Sequence, residues 1–124
     1  MGEIRQNLSI GNYGRWYNVN AFFDTGANIS FIRESIANKI SAQKFKKVQT
    51  KLADGSIVDG YFSQINIKIY NRIGLLDVII VPKLDEELII GQDFMQKNSV
   101  ELDARNEKFR FTKLQPRLRK VYRL

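Results

Sequence analysis

Two side chains that often carry catalysis are missing, because the sequence contains neither cysteine nor histidine. Their absence excludes disulfide frameworks, zinc sites built on thiolate or imidazole, and nucleophilic catalysis of the Ser-His-Asp or Cys-His type. Any acid-base chemistry must therefore use carboxylates, lysine, tyrosine or water. The absence of cysteine does not by itself indicate a cellular compartment.

Long apolar runs are also missing. The longest one, Val78 to Pro82, is far shorter than the about 20 residues that a membrane-spanning helix needs, and no N-terminal secretory segment is visible. We therefore expect a soluble domain that lies in the cytoplasm unless it belongs to a longer membrane-anchored chain. With 124 residues, only two prolines and 44% hydrophobic residues, the chain is expected to fold into one compact domain.

The net charge is +7, with 20 Lys and Arg against 13 Asp and Glu. Such an excess would favour a nucleic acid or an anionic membrane surface as partner. However, five of the basic residues and no acidic residue lie between Lys113 and Leu124. A nucleic-acid-binding β-barrel would instead spread its basic residues over a strand face. We therefore predict a domain over residues 1–112 and a basic tail over 113–124. A nucleic-acid partner is not expected, and the sequence implies no membrane partner. The tail is interpreted as a solvated terminus, with an oligomer contact or an anchor to an anionic surface as the alternatives.

Strand-like patterns dominate the sequence. Ile65, Ile67 and Ile69 alternate with polar residues, which is typical of a strand with one buried face. Isoleucines recur instead every four residues from 32 to 40, which indicates a short amphipathic helix. We predict hairpins over Glu3–Phe23 and Lys46–Phe62, a strand covered on both faces over Leu75–Val81, a buried strand over Leu88–Ile90, a last hairpin from Val100 to Phe111, and short helices over Arg33–Ile40 and Gln92–Lys97. The pattern indicates a small, mostly antiparallel all-β domain.

Asp24 is the carboxylate in the most unusual position. Two aromatic residues of a predicted strand precede it, and Thr25 and Gly26 follow it, so its side chain is expected at the end of a packed element. The glycine allows a tight backbone turn at this point. Asp-Thr-Gly is also ordinary turn chemistry, so the tripeptide alone does not identify a catalytic site.

Three segments together carry a family resemblance. The first is Ala21–Ser30, the second is Lys51–Ser56 with Gly60, and the third is Leu88–Met95, in which an apolar pair and a glycine lead into a predicted short helix. In this order they resemble the active-site segment, the flap hairpin and the second hallmark of the retropepsin-like aspartic proteases, which are single-lobed. The resemblance covers most of residues 15–112 and is at least as close to cellular and microbial members as to viral ones. It implies a small, closed, barrel-like antiparallel β domain with one or two short helices.

The resemblance implies an aspartic endopeptidase that acts on extended or unfolded polypeptides. Such an enzyme needs two carboxylates that share one proton, and this chain has a single Asp-Thr-Gly, so a homodimer would supply the second Asp24. One carboxylate would activate a water molecule, and the other would donate a proton to the leaving amine. The resemblance gives Thr25 a hydrogen bond across the dimer axis and Gly26 a close backbone approach to the pair. It requires no metal, no cofactor and no covalent intermediate.

The same resemblance implies a cleft that binds a peptide. The tip of the Lys46–Phe62 hairpin would act as a flap, which pairs main chain with main chain while alternate side chains fill pockets. The residues expected to bind substrate are Ala27, Asn28, Ala53, Asp54, Gly55, Ser56, Ile57, Leu84, Leu88 and Ile90. A plain surface hairpin, and simple core positions for the apolar residues, are the alternatives.

Two positions depart from the viral pattern. Viral members often carry an acidic residue after the active-site Ala and an Arg after the second Gly, whereas this chain has Asn28 and Gln92. We predict that a hydrogen bond between these two amide side chains replaces the ion pair. Asp93, at the start of the predicted helix, is expected to cap it. The alternative function is a catalytically idle module of the same fold, which holds a peptide or assembles as a dimer without cutting.

Overall fold

A computed structural model describes residues 3–12, 14–103, 105–106 and 108–111. The predicted basic tail at 113–124 lies outside these residues. In chain order the elements are β1 (Glu3–Asn12), β2 (Arg15–Asp24), β3 (Phe31–Arg33), α1 (Glu34–Lys39), β4 (Lys46–Lys51), β5 (Ile57–Ile69), β6 (Arg72–Val81), β7 (Leu88–Ile90), α2 (Gln92–Lys97), β8 (Val100–Asp103) and β9 (Lys108–Phe111). The predicted hairpins, strands and helices are all present.

Strand pairing closes six of the strands into a barrel. The sheet runs in the order β1-β2-β7-β3-β6-β5-β4, and a further pairing of β1 with β5 joins it into a ring. That pairing runs over Ser9–Gly11 of β1 and Asn66–Lys68 of β5. β4 pairs with β5 on the outside of the ring, so the β4–β5 hairpin projects from the barrel. The expected closed, barrel-like all-β domain is confirmed.

Most pairs of the described strands are antiparallel, as the sequence predicts, and two pairs are parallel. β7 lies between β2 and β3, and it runs parallel to β2 and antiparallel to β3. β3 also runs parallel to β6. Because β2 and β3 point in opposite directions, a strand between them must be parallel to one of the two. The connection from Thr25 to Ser30, which we call the 25–30 loop, therefore crosses the end of β7.

The main core fills the barrel with aliphatic side chains. Ile65, Ile67 and Ile69 are at most 3% exposed, as their alternation with polar residues predicts. Phe23 of β2 and Ile90 of β7 are fully buried beside each other, because they are partners in the parallel β2–β7 pair. Each such side chain contributes roughly 1.5–3 kcal/mol when it is removed from water. Closure of the barrel is therefore driven by burial of the inward face of each strand.

A second, smaller apolar cluster lies between the β4–β5 hairpin and strands β3, β6 and β7, and we call it the hairpin cluster. It consists of the buried residues Phe31, Ile79 and Val81, against which Val48, Leu52, Val58, Phe62, Leu84 and Ile89 pack. It covers the second face of β6, so that all residues from Val78 to Val81 are buried. Leu75 is 60% exposed, so the prediction of cover on both faces is wrong at the start of the strand, which the cluster does not reach.

The two helices of the described chain are short, with six residues each. α1 buries Ile36 and Ala37, and α2 buries Phe94 and Met95. Packing of these apolar faces is what stabilises them, since isolated helices of this length are marginal in water. Within the residues described here, no helix has both the length and the apolar character needed to cross a membrane.

Candidate active site

Asp24 lies at the carboxyl end of β2, where the strand gives way to the 25–30 loop. The parallel pairing of Phe23 with Ile90 places Asp24 next to Gly91, the residue that follows β7. The Asp24 side chain is half-buried, and its Oδ1 accepts a hydrogen bond from the N–H of Gly26 at 2.8 Å. Its carbonyl accepts from the N–H of Ala27 at 3.1 Å. The carboxylate is thus held in a tight turn with one side open to solvent.

Gly91 allows the 25–30 loop to lie directly on the end of β7. A Cβ atom at this position would be 2.6 Å from the carbonyl oxygen of Ile29 and 2.7 Å from that of Ala27. Real Cβ atoms do not approach backbone oxygens this closely, so any side chain would push the loop away. The glycine is therefore required by close approach of two backbone segments.

The first turn of α2 holds the same loop through its backbone. The N–H of Gln92 donates to the carbonyl of Ala27 at 2.8 Å, and the N–H of Asp93 donates to the carbonyl of Asn28 at 3.1 Å. N–H groups in the first turn of a helix have no partner inside the helix. Here the loop carbonyls satisfy them, which couples the position of the loop to that of α2.

The side chains of Ser30 and Asp93 also connect the 25–30 loop to α2. Ser30 is fully buried, its Oγ donates to Oδ1 of Asp93 at 2.8 Å, and the same Oγ accepts from the N–H of Gly91 at 3.0 Å. Asp93 Oδ2 accepts from the N–H of Ser30 at 3.3 Å, and Oδ1 also accepts from the N–H of Phe94 at 2.7 Å. The helix-capping role expected of Asp93 is wrong, because Gly91 is the N-cap residue of α2 and the cap has no side-chain hydrogen bond; Asp93 instead ties α2 to the loop. Sequence reasoning missed Ser30, and its place in the Ala21–Ser30 motif was the available signal.

Gln92 and Asn28 do not pair through their side chains. Nε2 of Gln92 donates to the carbonyl of Thr25 at 3.3 Å. Asn28 is bonded to α2 through its backbone carbonyl, and its side chain is exposed. The predicted amide–amide bond is therefore wrong, because Gln92 reaches the loop backbone at Thr25.

The loop surface around Asp24 faces solvent in the single chain. Thr25, Gly26 and Asn28 are exposed, Ala27 is half-buried, and Ile29 is 43% exposed. Ile29 therefore presents an aliphatic side chain to solvent on the same loop that follows the half-buried Asp24.

The tip of the β4–β5 hairpin is an ordered turn. Ser56 donates to Oδ1 of Asp54 from both its hydroxyl, at 2.6 Å, and its N–H, at 2.9 Å. These two hydrogen bonds, with that of the hydroxyl the larger cause, lower the pKa of the Asp54 carboxyl below its usual value. Gly55 has a φ of +89°, which favours glycine. Gly55 N–H donates to the carbonyl of Leu52 at 2.9 Å and completes the turn.

The residues expected to line pockets divide into two groups. Ala53 and Ile57 are exposed on the hairpin, and Leu84 packs against the hairpin cluster. Leu88 and Ile90 are fully buried in the main core, so the interpretation of these two as pocket walls is wrong. Side chains alternate between the two faces of β7, and it is Ile89 that faces the hairpin cluster. The alternation was the signal that would have identified Ile89.

Among the described residues, no three acidic side chains come close enough to hold a metal ion. A surface depression lined by Asn7, Asn18 and Lys68, among others, lies beside β1 and includes none of the predicted site residues. The predicted residues that the structure does bring together are those of the 25–30 loop and the start of α2.

Solved structures with this fold include viral and cellular proteins. The EIAV protease complexed with the inhibitor HBY-793 is matched over 82% of this chain and 92% of that protease, with a TM-score of 0.62 and 20% identity. The retroviral protease-like domain of Ddi1 from Leishmania major is matched over 92% and 91%, with a TM-score of 0.64 and 12% identity. The simian foamy virus (mac) protease is matched over 73% and 92%, with a TM-score of 0.50 and 18% identity. At these identities the likeness shows the fold.

No curated protein matches this chain. A family described as "gag-polyprotein putative aspartyl protease" matches residues 14–97, which is more than half of the 124 residues. The matched range contains Asp24, the hairpin tip and the start of α2. Together with the retropepsin-type barrel, this match shows that the chain belongs to the gag-polyprotein family of aspartyl proteases.

Proposed function

We propose that this chain is one half of a homodimeric aspartic endopeptidase to which each copy contributes one Asp24. The observation that carries the proposal is the placement of this carboxylate. Asp24 ends β2 on a loop that α2 holds by backbone bonds, and it lies half-buried beside the exposed Thr25 and Gly26. A carboxylate that is fixed in this way and open on one side can meet its copy across a two-fold axis. Membership of an aspartyl protease family supports peptide hydrolysis as the reaction.

Catalysis would use the pair of Asp24 carboxylates as acid and base. Two carboxylates about 3 Å apart cannot both be ionised, so the pair holds one proton. The ionised carboxylate accepts a proton from water as the water oxygen bonds to the peptide carbonyl carbon. The protonated carboxyl stabilises the developing oxyanion, and a proton then passes to the amine nitrogen as the C–N bond breaks.

Thr25 and Gly26 would prepare the pair for this chemistry. In the proposed dimer the Thr25 hydroxyl forms a hydrogen bond across the two-fold axis and locks the two loops together. Gly26 donates its N–H to Oδ1 of Asp24, and a Cβ atom at this residue would lie 3.2 Å from that oxygen. A side chain at this residue would therefore press on the Asp24 carboxylate and shift it by a few tenths of an ångström.

The proposed substrate is an extended or unfolded polypeptide. It would lie between the 25–30 loop and the hairpin tip, which acts as a flap and pairs with the peptide main chain. The residues assigned to it are Ala27 and Asn28 in the loop, Ala53, Asp54, Gly55, Ser56 and Ile57 at the tip, and Leu84 with Ile89 as apolar wall. The proposal assigns residues 1–112 to the protease domain and 113–124 to a separate basic tail.

Cleavage assays on wild type and Asp24→Asn test the assignment. Both proteins are incubated with an unfolded protein and a peptide library from acidic to neutral pH, and new fragments are identified by mass spectrometry. Asp77→Asn is the matched control, because Asp77 lies on β6 and bonds to Gln64 on the outside of the barrel. We expect fragments with wild type and Asp77→Asn and none with Asp24→Asn.

Three results would contradict the proposal. Cleavage that survives Asp24→Asn would refute the catalytic residue. No cleavage by wild type, together with specific binding of peptides from the library, would favour the catalytically idle module. Sedimentation at several concentrations tests the dimer independently, since a protein that stays monomeric where it cleaves would refute a shared active site.

A further inference from the structure

The connection between β6 and β7 crosses the end of β3. β3 lies between them in the sheet, because it pairs with both β6 and β7. Residues 82–87, which we call the crossing segment, must therefore pass Arg33, the last residue of β3. Carbonyl groups in such a segment lie beyond the sheet and have no neighbouring strand as partner. They need donors from elsewhere.

Arg33 supplies these donors. Its backbone N–H donates to the carbonyl of Glu87 at 3.1 Å. Its Nε donates to the carbonyl of Leu84 at 2.8 Å, and its Nη2 donates to the carbonyl of Asp85 at 2.6 Å. The planar guanidinium thus bridges two consecutive carbonyls, a geometry that the ammonium group of lysine does not reproduce. One residue therefore fixes most of the path of the crossing segment.

A second arginine holds the segment at the next residue. Nη1 and Nη2 of Arg5 donate to the two carboxylate oxygens of Glu86, at 3.0 and 2.7 Å. The Arg5 guanidinium also lies 4.5 Å from the ring centroid of Phe22. Because this pair is largely at the surface, its contribution is small. Arg33, whose side chain is half-buried, is the main anchor.

The anchored segment places Leu84 against the hairpin cluster, where the proposed function puts the substrate. Leu84 and Ile89 both pack against the buried residues of the hairpin cluster. Ile89 is paired with Phe22, two residues before Asp24, so this apolar surface begins next to the candidate catalytic residue. The Leu84 carbonyl is itself one of the groups that Arg33 binds. The position of the Leu84 side chain therefore depends directly on Arg33.

We propose that Arg33 is a positioning residue that determines the size of apolar side chain that the cleft accepts. The inference rests on the peptidase function proposed above. A wall that is held rigidly favours a side chain that fills the pocket over a smaller one that leaves a void. A wall that has lost its anchor can move onto the smaller side chain, and discrimination by size falls.

The test compares Arg33→Lys with Arg15→Lys. Arg33→Lys keeps the charge and removes the guanidinium fork. Arg15→Lys is the matched control, because Arg15 is an exposed residue at the opposite end of β2 from Asp24. We would measure kcat and KM for two peptides that carry either leucine or alanine next to the cleaved bond. Amide hydrogen exchange of residues 84–87 in the free protein is measured in parallel.

In Arg33→Lys we expect the preference for leucine over alanine in kcat/KM to fall about tenfold, mainly through a change in KM. This is about the size of effect expected when one charge-assisted hydrogen bond is lost. Exchange at residues 84–87 should become faster, whereas Arg15→Lys should change neither property. An unchanged preference in an active Arg33→Lys enzyme would overturn this inference and leave the proposed function intact.

If wild type cleaves neither these two peptides nor the unfolded protein and the peptide library, the proposed function fails, and the inference is decided by binding. Fluorescence anisotropy then measures the affinity of the same two peptides for wild type and for Arg33→Lys. A leucine preference that Arg33→Lys removes would support the positioning role. Equal affinity of wild type for the two peptides, or a preference that the variant keeps, would overturn it.

Discussion

Two buried serines provide a direct test of how the 25–30 loop is held. Ser30 and Ser63 are both fully buried. Ser30 Oγ donates to Asp93 and accepts from the Gly91 N–H, whereas Ser63 Oγ has no hydrogen-bond partner among the residues that the structure describes. The same change from serine to alanine is therefore expected to have opposite effects on the free energy of unfolding at these two positions.

The expected magnitudes follow from the bonds that each change removes. Ser30→Ala removes a hydrogen bond to a carboxylate, worth about 1.5–3 kcal/mol, and leaves the buried N–H of Gly91 without this partner at a cost of about 1–3 kcal/mol. With partial relaxation, we expect the free energy of unfolding to fall by about 3 kcal/mol. Ser63→Ala removes a buried hydroxyl that bonds to nothing, so the same quantity should rise by about 1 kcal/mol.

Urea denaturation of wild type and the two variants measures both changes. The midpoint should decrease for Ser30→Ala and increase for Ser63→Ala, with the same m-value, because neither change alters the surface exposed on unfolding. Two shifts of the same sign and similar size would refute the reasoning, since they would show that the bonds of Ser30 contribute nothing beyond those of an unpartnered hydroxyl.

Three further predictions concern the loop, the hairpin tip and the dimer. Gly91→Ala should lower the free energy of unfolding by about 1–3 kcal/mol in urea denaturation, because its Cβ would overlap two loop carbonyls. Ser56→Ala should raise the pKa of Asp54 in an NMR titration, since the pKa is lowered chiefly by the Ser56 hydroxyl. In wild type this hydrogen bond supports the turn at neutral pH and is lost as the pH falls through the lowered pKa of Asp54. A pKa of Asp54 that is the same in Ser56→Ala as in wild type would contradict the prediction. Ile29→Lys should shift sedimentation toward the monomer. Ile73→Lys on β6 is the control, because Ile73 is 40% exposed and Ile29 is 43% exposed, and it should not shift sedimentation. Equal effects of the two changes would argue against an interface at the 25–30 loop.

Local patterns in the sequence were sufficient for most of the elements. The alternation of Ile65, Ile67 and Ile69 marks the inward face of β5, because successive side chains of a strand point to opposite sides. Asp54 and Gly55 mark the hairpin turn, because glycine adopts the positive φ found there. Both patterns involve only a few neighbouring residues, so they can be recognised in the sequence without knowledge of the tertiary structure.

The wrong predictions concern which face of a strand packs in the main core and which face packs against the hairpin cluster. The sequence predicts Leu88 and Ile90 as pocket walls, but these two residues face the main core, and Ile89 between them faces the hairpin cluster. Leu75 is exposed for a similar reason, since the hairpin cluster covers only the later part of β6. Three consecutive apolar residues contain no information on which side is the barrel interior.

By itself, the sequence determined which functional groups are available for acid-base chemistry and where in the chain the carboxylate of Asp24 lies. Without histidine or cysteine, any acid-base chemistry must use carboxylates, lysine, tyrosine or water, and the strand and turn residues around Asp24 place it at a strand end. Only the tertiary structure decided that β7 inserts beside β2, which brings Ser30 to Asp93 and Gly91 under the loop. Those residues are about 60 positions apart in the chain. Their contact follows from the pairing of strands around the closed barrel, which no local pattern specifies.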